Sequence, residues 1–124
     1  MSRFSDILAR LDAVIAARKG ADPASSYTAR LLAGGPPLAA KKFGEEAVET
    51  VLAAVGEDRE HLIAEASDLI YHLLVLLKAR DITLAEVEAA LGARTHQSGL
   101  DEVAAKLEAR EGTSGLDEKA SRGS

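Results

Sequence analysis

The sequence predicts an all-α protein, and three observations support this fold class. Alanine and leucine are abundant among the 124 residues, whereas aromatic residues make up only 3% of them. That composition favours helices over sheets. Apolar residues recur at spacings of three and four through most of the chain, as they do on one face of a helix. Capping residues precede several of these periodic segments.

The composition also narrows the function classes. The length corresponds to one domain with a modest core. A net charge of −5 argues against binding to bulk nucleic acid or to an anionic membrane. The chain has no cysteine, which excludes disulfides and thiolate ligands. Met1–Asp6 lacks the apolar run of a signal peptide, and the apolar run Leu69–Leu77 is too short to span a bilayer. We therefore expect a soluble cytoplasmic protein.

The first helix is predicted from an apolar stripe that begins at Phe4 and ends at Ile15. A short second helix follows over Ser25–Leu32, with a serine cap ahead of it. Its polar residues could bind a phosphate or a sugar, although an ordinary capped turn has the same composition; they are Ser26, Tyr27, Thr28 and Arg30.

The third helix is predicted over Leu38–Val55. Its apolar stripe is expected to face the core and consists of Val48, Val51, Leu52 and Val55. Gly44 lies inside this helix, where glycine costs about 1 kcal/mol relative to alanine. Close approach of a ligand or of another backbone would explain its presence.

The fourth helix is predicted to run from about Arg59 to Arg80, with Asp58 as its N-cap. Over Leu73–Leu77 it is apolar on every side and must be covered on every side. In so short a chain this predicts a central helix that a second subunit covers in part. His72 interrupts the apolar run and is predicted to be a hydrogen-bonded boundary histidine rather than a ligand.

Five carboxylates lie on the third and fourth helices. Residues three or four apart share a helix face. Glu46 and Glu49 therefore point the same way, with Glu45 also close to Glu49, and Glu65 and Asp68 form a similar pair. If the helices are antiparallel neighbours, the two groups converge and need a cation between them, Mg²⁺ above all. The alternative is a solvated face with local Lys–Glu pairs.

The C-terminal part contains a repeated element. A capping box at Thr83–Glu86 begins a fifth helix. Beyond it, Ala93–Glu102 resembles Ala109–Glu118, and each copy contains Ser-Gly-Leu-Asp-Glu. We interpret residues 1–92 as a helical catalytic domain. Residues 93–124 are a C-terminal extension, either part of the same domain or a tail.

Four segments together resemble the phosphoribosyl-ATP pyrophosphatase family of histidine biosynthesis, and they are Ser26–Thr28, Lys41–Glu49, Glu65–Leu77 and Ser114–Arg122. The EExxE and ExxD patterns alone are shared with the wider group of MazG-like all-α nucleotide pyrophosphohydrolases. The KKxGEEAxE run, the DLxYHLLVLL run and the SGLxEKAxR ending narrow the resemblance to the first family. It covers nearly the whole chain.

The resemblance implies a MazG-like helical bundle that hydrolyses 1-(5-phosphoribosyl)-ATP to 1-(5-phosphoribosyl)-AMP and pyrophosphate. Mg²⁺ would be bound by Glu46, Glu49, Glu65 and Asp68. Glu45 would be a further ligand or would orient the attacking water. The expected catalytic residues are thus Glu45, Glu46 and Glu49.

The resemblance also implies a substrate-binding set and a partner. Lys41, Lys42 and Arg30 would contact the triphosphate, with Ser26 and Thr28 close to the substrate. The assembly would be a homodimer whose second subunit completes the core. No nucleic-acid or membrane partner is implied.

One departure from the family pattern concerns the repeated element. The copy at Ser98 stands where the family's ending is expected, but Val103 follows it where the pattern has lysine. The copy at Ser114 retains that lysine as Lys119. Which of the two copies approaches the substrate is left open by the sequence.

Three other functions would fit parts of the pattern. A house-cleaning nucleoside-triphosphate pyrophosphohydrolase would use the same carboxylates with a different base pocket. A di-iron bundle would need inward Glu-x-x-His pairs, to which Asp58–His61 is a poor match. A non-catalytic dimerisation module would carry the acids only on its surface.

Overall fold

A computed structural model describes residues 3–56, 58–95 and 103–110 of the chain. Every regular element in these ranges is an α-helix, which confirms the all-α prediction. The helices are α1 (Phe4–Arg18), α2 (Tyr27–Ala33), α3 (Gly35–Val55), α4 (Arg59–Ala79), α5 (Leu84–Ala93) and α6 (residues 103–110). The repeated elements around Ser98 and Ser114 lie outside the described residues.

The chain divides into two compact units, Met1–Leu84 and Ala85–Ser124. The first unit contains α1 to α4. The second contains α6 and all of α5 after its first residue. The predicted division after residue 92 stays a prediction. None of the described helices combines the length and the apolar character that crossing a membrane would require.

Side-chain caps set the starts of α2 and α4. The Ser26 Oγ accepts a hydrogen bond from the backbone N–H of Ala29 at 3.2 Å. The Asp58 carboxylate accepts from the backbone N–H groups of Glu60 and His61 at 3.0 and 3.3 Å. Each cap satisfies donors that the helix itself leaves free. Asp58 therefore uses as a helix cap the carboxylate that a di-iron site would need as a ligand.

The start of α3 differs from the prediction. The helix begins at Gly35 rather than Leu38, because Pro36 and Pro37 occupy its first turn, where a missing N–H breaks no hydrogen bond.

Gly44 lies in the interior of α3, and a Cβ at this position would meet no atom within 4 Å. The close approach expected at this glycine is thus not made by the described residues of the chain.

Helix α4 is central to the first unit, as predicted, because α1, α2 and α3 all pack against it. The core cluster takes residues from all four helices and consists of Ile15, Leu31, Ala39, Leu74 and Val75. It is small, and its α3 contribution is a single alanine. Within the apolar run of α4, Leu73 remains 36% exposed.

The predicted core face of α3 is wrong for the single chain. Its stripe is exposed, by 58% at Val48, 62% at Val51, 59% at Leu52 and 80% at Val55. The buried residues of α3 are instead Ala39 and Ala53, on the opposite side of the helix. Alanines let two helices approach closely, whereas the more apolar valine face points away from α4. Periodicity identified an apolar face correctly but not what covers it.

Candidate metal centre

The candidate site is built on the contact between α3 and α4, which is the most extensive helix pair among the described residues. Thr50 lies between the two backbones. Its Oγ1 donates to the carbonyl oxygen of Glu46 at 2.8 Å and lies 3.3 Å from the carbonyl oxygen of Glu65 on α4. Thr50 therefore fixes two carboxylate-bearing turns side by side.

Three of the predicted metal ligands come together at this point. One carboxylate oxygen from each of Glu46, Glu65 and Asp68 lies within 4.8 Å of the others. Glu46 and Glu65 are half-buried, and Asp68 is exposed. Oxygens on opposite sides of a bound Mg²⁺ are about 4.2 Å apart. Small side-chain shifts would therefore bring all three into its coordination shell, and an all-oxygen set suits such a hard cation.

The neighbouring predicted residues lie outside this group of three. Glu49 is exposed, one turn after Glu46. Glu45 is also exposed, and its Oε2 lies 3.3 Å from the Nζ of Lys42. Lys41 is exposed on the same helix. Their proposed roles in metal binding, catalysis and phosphate binding stay predictions.

Sequence reasoning gave no role to His61, which lies beside the carboxylate group. Its side chain is 54% exposed, but its Nε2 lies 3.3 Å from the Oε1 of Glu65. The signal in the sequence was its position one turn before Glu65, the spacing at which helical side chains pair. When protonated, His61 would place a positive charge at the edge of the carboxylate group.

The predicted substrate-binding residues of α2 have contacts of their own. Ser26 caps the helix through its Oγ, as described above. The Oγ1 of Thr28 is hydrogen bonded to the hydroxyl of Tyr71 on α4. Arg30 is exposed in the last turn of α2. Of these three side chains, Arg30 extends into solvent and is the most accessible to a ligand.

His72 connects Tyr27 of α2 to the backbone of Asp68 in α4. It is 6% exposed, more deeply buried than the boundary position expected from the sequence. Its Nδ1 lies 2.8 Å from the carbonyl oxygen of Asp68, one turn earlier in α4. Its Nε2 lies 3.3 Å from the hydroxyl of Tyr27. Both ring nitrogens are thus hydrogen bonded, as predicted.

The pKa of Glu46 is raised above the ordinary value of 4.5. Burial is the largest cause, because it disfavours the charged carboxylate. A protonated His72 would act in the opposite direction, whereas the charges of Glu65 and Asp68 raise the pKa further. A hydrogen bond with the Glu65 side chain favours the protonated form as well. The centre therefore favours any added positive charge, whether a proton or a metal ion.

This shift predicts how stability depends on pH when no divalent cation is added. Between the unfolded value of 4.5 and the raised pKa of Glu46, the folded state binds more protons than the unfolded state. The contribution of Glu46 to the free energy of unfolding is therefore largest at the acid end of this window and is lost as the pH rises through the folded pKa. Urea unfolding at several pH values would measure it, with Glu46→Gln as the non-titrating control. Identical pH dependence in both proteins would contradict the prediction.

Comparison with known proteins places these residues in a family. The family model described as phosphoribosyl-ATP pyrophosphohydrolase matches residues 8–95, which include all three clustered carboxylates. The phosphoribosyl-ATP pyrophosphatase of Dinoroseobacter shibae is 62% identical over 94 residues, which are 76% of this chain and 92% of the relative. Phosphoribosyl-ATP pyrophosphatase 1 of Bradyrhizobium diazoefficiens is 60% identical over 101 residues, 82% of this chain and 93% of the relative. The chain belongs to the phosphoribosyl-ATP pyrophosphohydrolase family.

Proposed function

We propose that this chain catalyses the Mg²⁺-dependent hydrolysis of 1-(5-phosphoribosyl)-ATP to 1-(5-phosphoribosyl)-AMP and pyrophosphate, the second step of L-histidine biosynthesis. Membership of the family supports the substrate and the reaction. The observation that carries the proposal is the convergence of Glu46, Glu65 and Asp68, whose oxygens lie within 4.8 Å of one another. A cytoplasmic location agrees with this role in biosynthesis.

The carboxylates are the residues that would hold the metal. Glu46, Glu65 and Asp68 form the ligand set, and Glu49 is the fourth candidate because it lies one turn from Glu46 on α3. A bound Mg²⁺ would neutralise polyphosphate charge and lower the pKa of a coordinated water. The raised pKa of Glu46 agrees with this arrangement, since burial raises it first and the neighbouring charges of Glu65 and Asp68 raise it further.

The remaining polar residues of α3 have roles that follow from their charge and exposure. Lys41 and Lys42 lie one turn before the carboxylates and would place positive charge beside the phosphates. Glu45 is held 3.3 Å from Lys42 and lies outside the group of three. A carboxylate in that position can orient the attacking water and accept its proton. Arg30 of α2 is a further candidate for a phosphate contact.

A homodimer is part of the proposal because the first unit leaves a large apolar surface exposed. The exposed stripe of α3 covers about two turns, from Val48 to Val55. Between α1 and α4 lies a second apolar feature, a groove of about 320 Å³ whose lining includes Phe4, Ile7 and Ile63. Large exposed apolar patches on soluble proteins often mark protein–protein interfaces. A second copy of the chain would remove it from water and enlarge the small core.

The substrate assignment is tested by product analysis. Purified protein is incubated with phosphoribosyl-ATP and, separately, with noncanonical nucleoside triphosphates, and the products are separated by ion-exchange chromatography. We expect phosphoribosyl-AMP and pyrophosphate from the first reaction. The noncanonical nucleoside triphosphates should release pyrophosphate slowly at most. Rapid turnover of noncanonical nucleotides without turnover of phosphoribosyl-ATP would contradict the proposal and select a house-cleaning enzyme.

A further inference from the structure

Four side chains join the first turn of α2 to the middle of α4, and we call them the α2–α4 clamp: Tyr27, Thr28, Tyr71 and His72. The Tyr27 hydroxyl lies 3.3 Å from the Nε2 of His72. The Thr28 hydroxyl is bonded to the hydroxyl of Tyr71. Two consecutive residues of one helix thus contact two consecutive residues of the other, in two separate pairs.

The imidazole ring is fixed from several sides. The ring of Tyr71 meets it edge-on, with centroids 5.0 Å apart and planes at 84°. The ring of Tyr27 meets it at 73°, with centroids 6.1 Å apart. A carbonyl oxygen can only accept, so the Nδ1 of His72 must carry the hydrogen in its bond to Asp68. In the neutral ring the Nε2 then accepts from Tyr27.

Only one of the two pairs extends to the carboxylates. His72 is hydrogen bonded to the backbone carbonyl of Asp68 at 2.8 Å. Tyr71 and Thr28 are joined to each other, and neither has such a contact to the carboxylate group. A buried imidazole also costs more to desolvate than an apolar ring of the same size. Packing of α2 on α4 therefore does not by itself account for a histidine here.

We propose that His72 is a positioning residue for the carboxylate centre, held by Tyr27 and linking α2 to the metal-binding face of α4. The inference rests on the proposed metal site and extends it to residues that do not themselves offer ligands. Asp68 and Tyr27 orient the ring through its two nitrogens, and the bond to the Asp68 carbonyl connects the ring to the turn of α4 that carries this ligand. Replacing residues that orient metal ligands typically lowers metal affinity 10- to 100-fold.

Two matched substitutions distinguish a role of the clamp in positioning the metal site from a role in merely attaching α2 to α4. Tyr27→Phe removes the hydroxyl bonded to His72, and Tyr71→Phe removes the hydroxyl bonded to Thr28. Each variant loses one hydrogen bond between the same two helices and keeps its ring. The readout is Mn²⁺ binding to the full chain without substrate, measured by electron paramagnetic resonance, together with Tm.

We expect Tyr27→Phe to weaken Mn²⁺ binding about 10-fold, which is the lower end of the range for replacing residues that orient metal ligands. Tyr71→Phe should bind Mn²⁺ within about twofold of the unchanged chain, while both variants lower Tm to a similar extent. Unchanged Mn²⁺ affinity in Tyr27→Phe would overturn the inference, and so would an equal loss in Tyr71→Phe. His72→Phe provides a second test and should lose more affinity than Tyr27→Phe.

The failure of this inference is distinguishable from failure of the proposed function. If the unchanged chain binds Mn²⁺ and both tyrosine variants bind it equally well, the positioning role is wrong and the metal site stands. If the unchanged chain binds no Mn²⁺, the metal site itself is wrong and the positioning role falls with it.

Discussion

Glu46→Gln is expected to lower kcat/KM for phosphoribosyl-ATP by about a thousandfold, the largest effect of any single substitution considered. Glu46 is the α3 member of the carboxylate group and the one whose pKa is raised. Glutamine keeps its size but removes the charge that would bind the metal. Metal-ion catalysis contributes several kcal/mol, and each 1.36 kcal/mol corresponds to a factor of about ten in rate. Pyrophosphate release under saturating Mg²⁺ measures the loss.

The matched control is Glu88→Gln, which makes the same chemical change at an exposed position of α5. It should leave kcat/KM within about twofold, as expected for a surface substitution. Glu46→Gln should also remain folded, because removing one of several neighbouring charges relieves repulsion. Full activity of a folded Glu46→Gln protein would contradict the assigned site.

Val51→Lys is expected to convert the proposed homodimer to a monomer, raising its dissociation constant at least about a hundredfold. Val51 lies in the middle of the exposed α3 stripe and is 62% exposed in the single chain. In the dimer the substitution would bury an unpaired ammonium group, which costs several kcal/mol, and every 1.4 kcal/mol changes the constant tenfold. The single chain should tolerate the lysine, since the position faces solvent there.

Sedimentation equilibrium over a range of protein concentrations measures this change. Ala17→Lys is the control, because Ala17 is exposed on α1 and does not line the apolar groove. It should leave the association unchanged. A monomer at all concentrations for the unchanged chain would show that no homodimer forms. An unchanged dimer in Val51→Lys would place the interface elsewhere on the surface.

Much of the fold follows from short-range signals. The serine before α2 and the aspartate before α4 cap the helices that they were expected to cap, because a cap depends only on residues a few positions away. The side of α3 that packs on α4 was not predictable in this way. Its apolar stripe at Val48–Val55 is more hydrophobic than the alanine side that is buried. Choosing between two faces requires knowledge of the partner helix.

For the candidate site, too, contacts within one helix were predictable from the sequence, whereas contacts between helices were not. Spacing within α4 pairs Glu65 with Asp68, and the structure keeps them together. Of the acids on α3, only Glu46 joins them in the group of three, because Thr50 sets the register between the helices there. The bond between Tyr27 and His72 spans 45 positions of sequence. No local pattern predicts such a contact, although the polar interruption of the apolar run marked His72 as unusual.

The central claim is that three carboxylates on α3 and α4 hold the metal ion for cleavage of phosphoribosyl-ATP. The most direct measurement is pyrophosphate release from phosphoribosyl-ATP with Mg²⁺, with EDTA in place of Mg²⁺, and with ordinary ATP in place of the substrate. We predict release only when Mg²⁺ and phosphoribosyl-ATP are both present. Release that persists in EDTA would contradict the metal site, and no release from phosphoribosyl-ATP under any condition would contradict the proposed reaction.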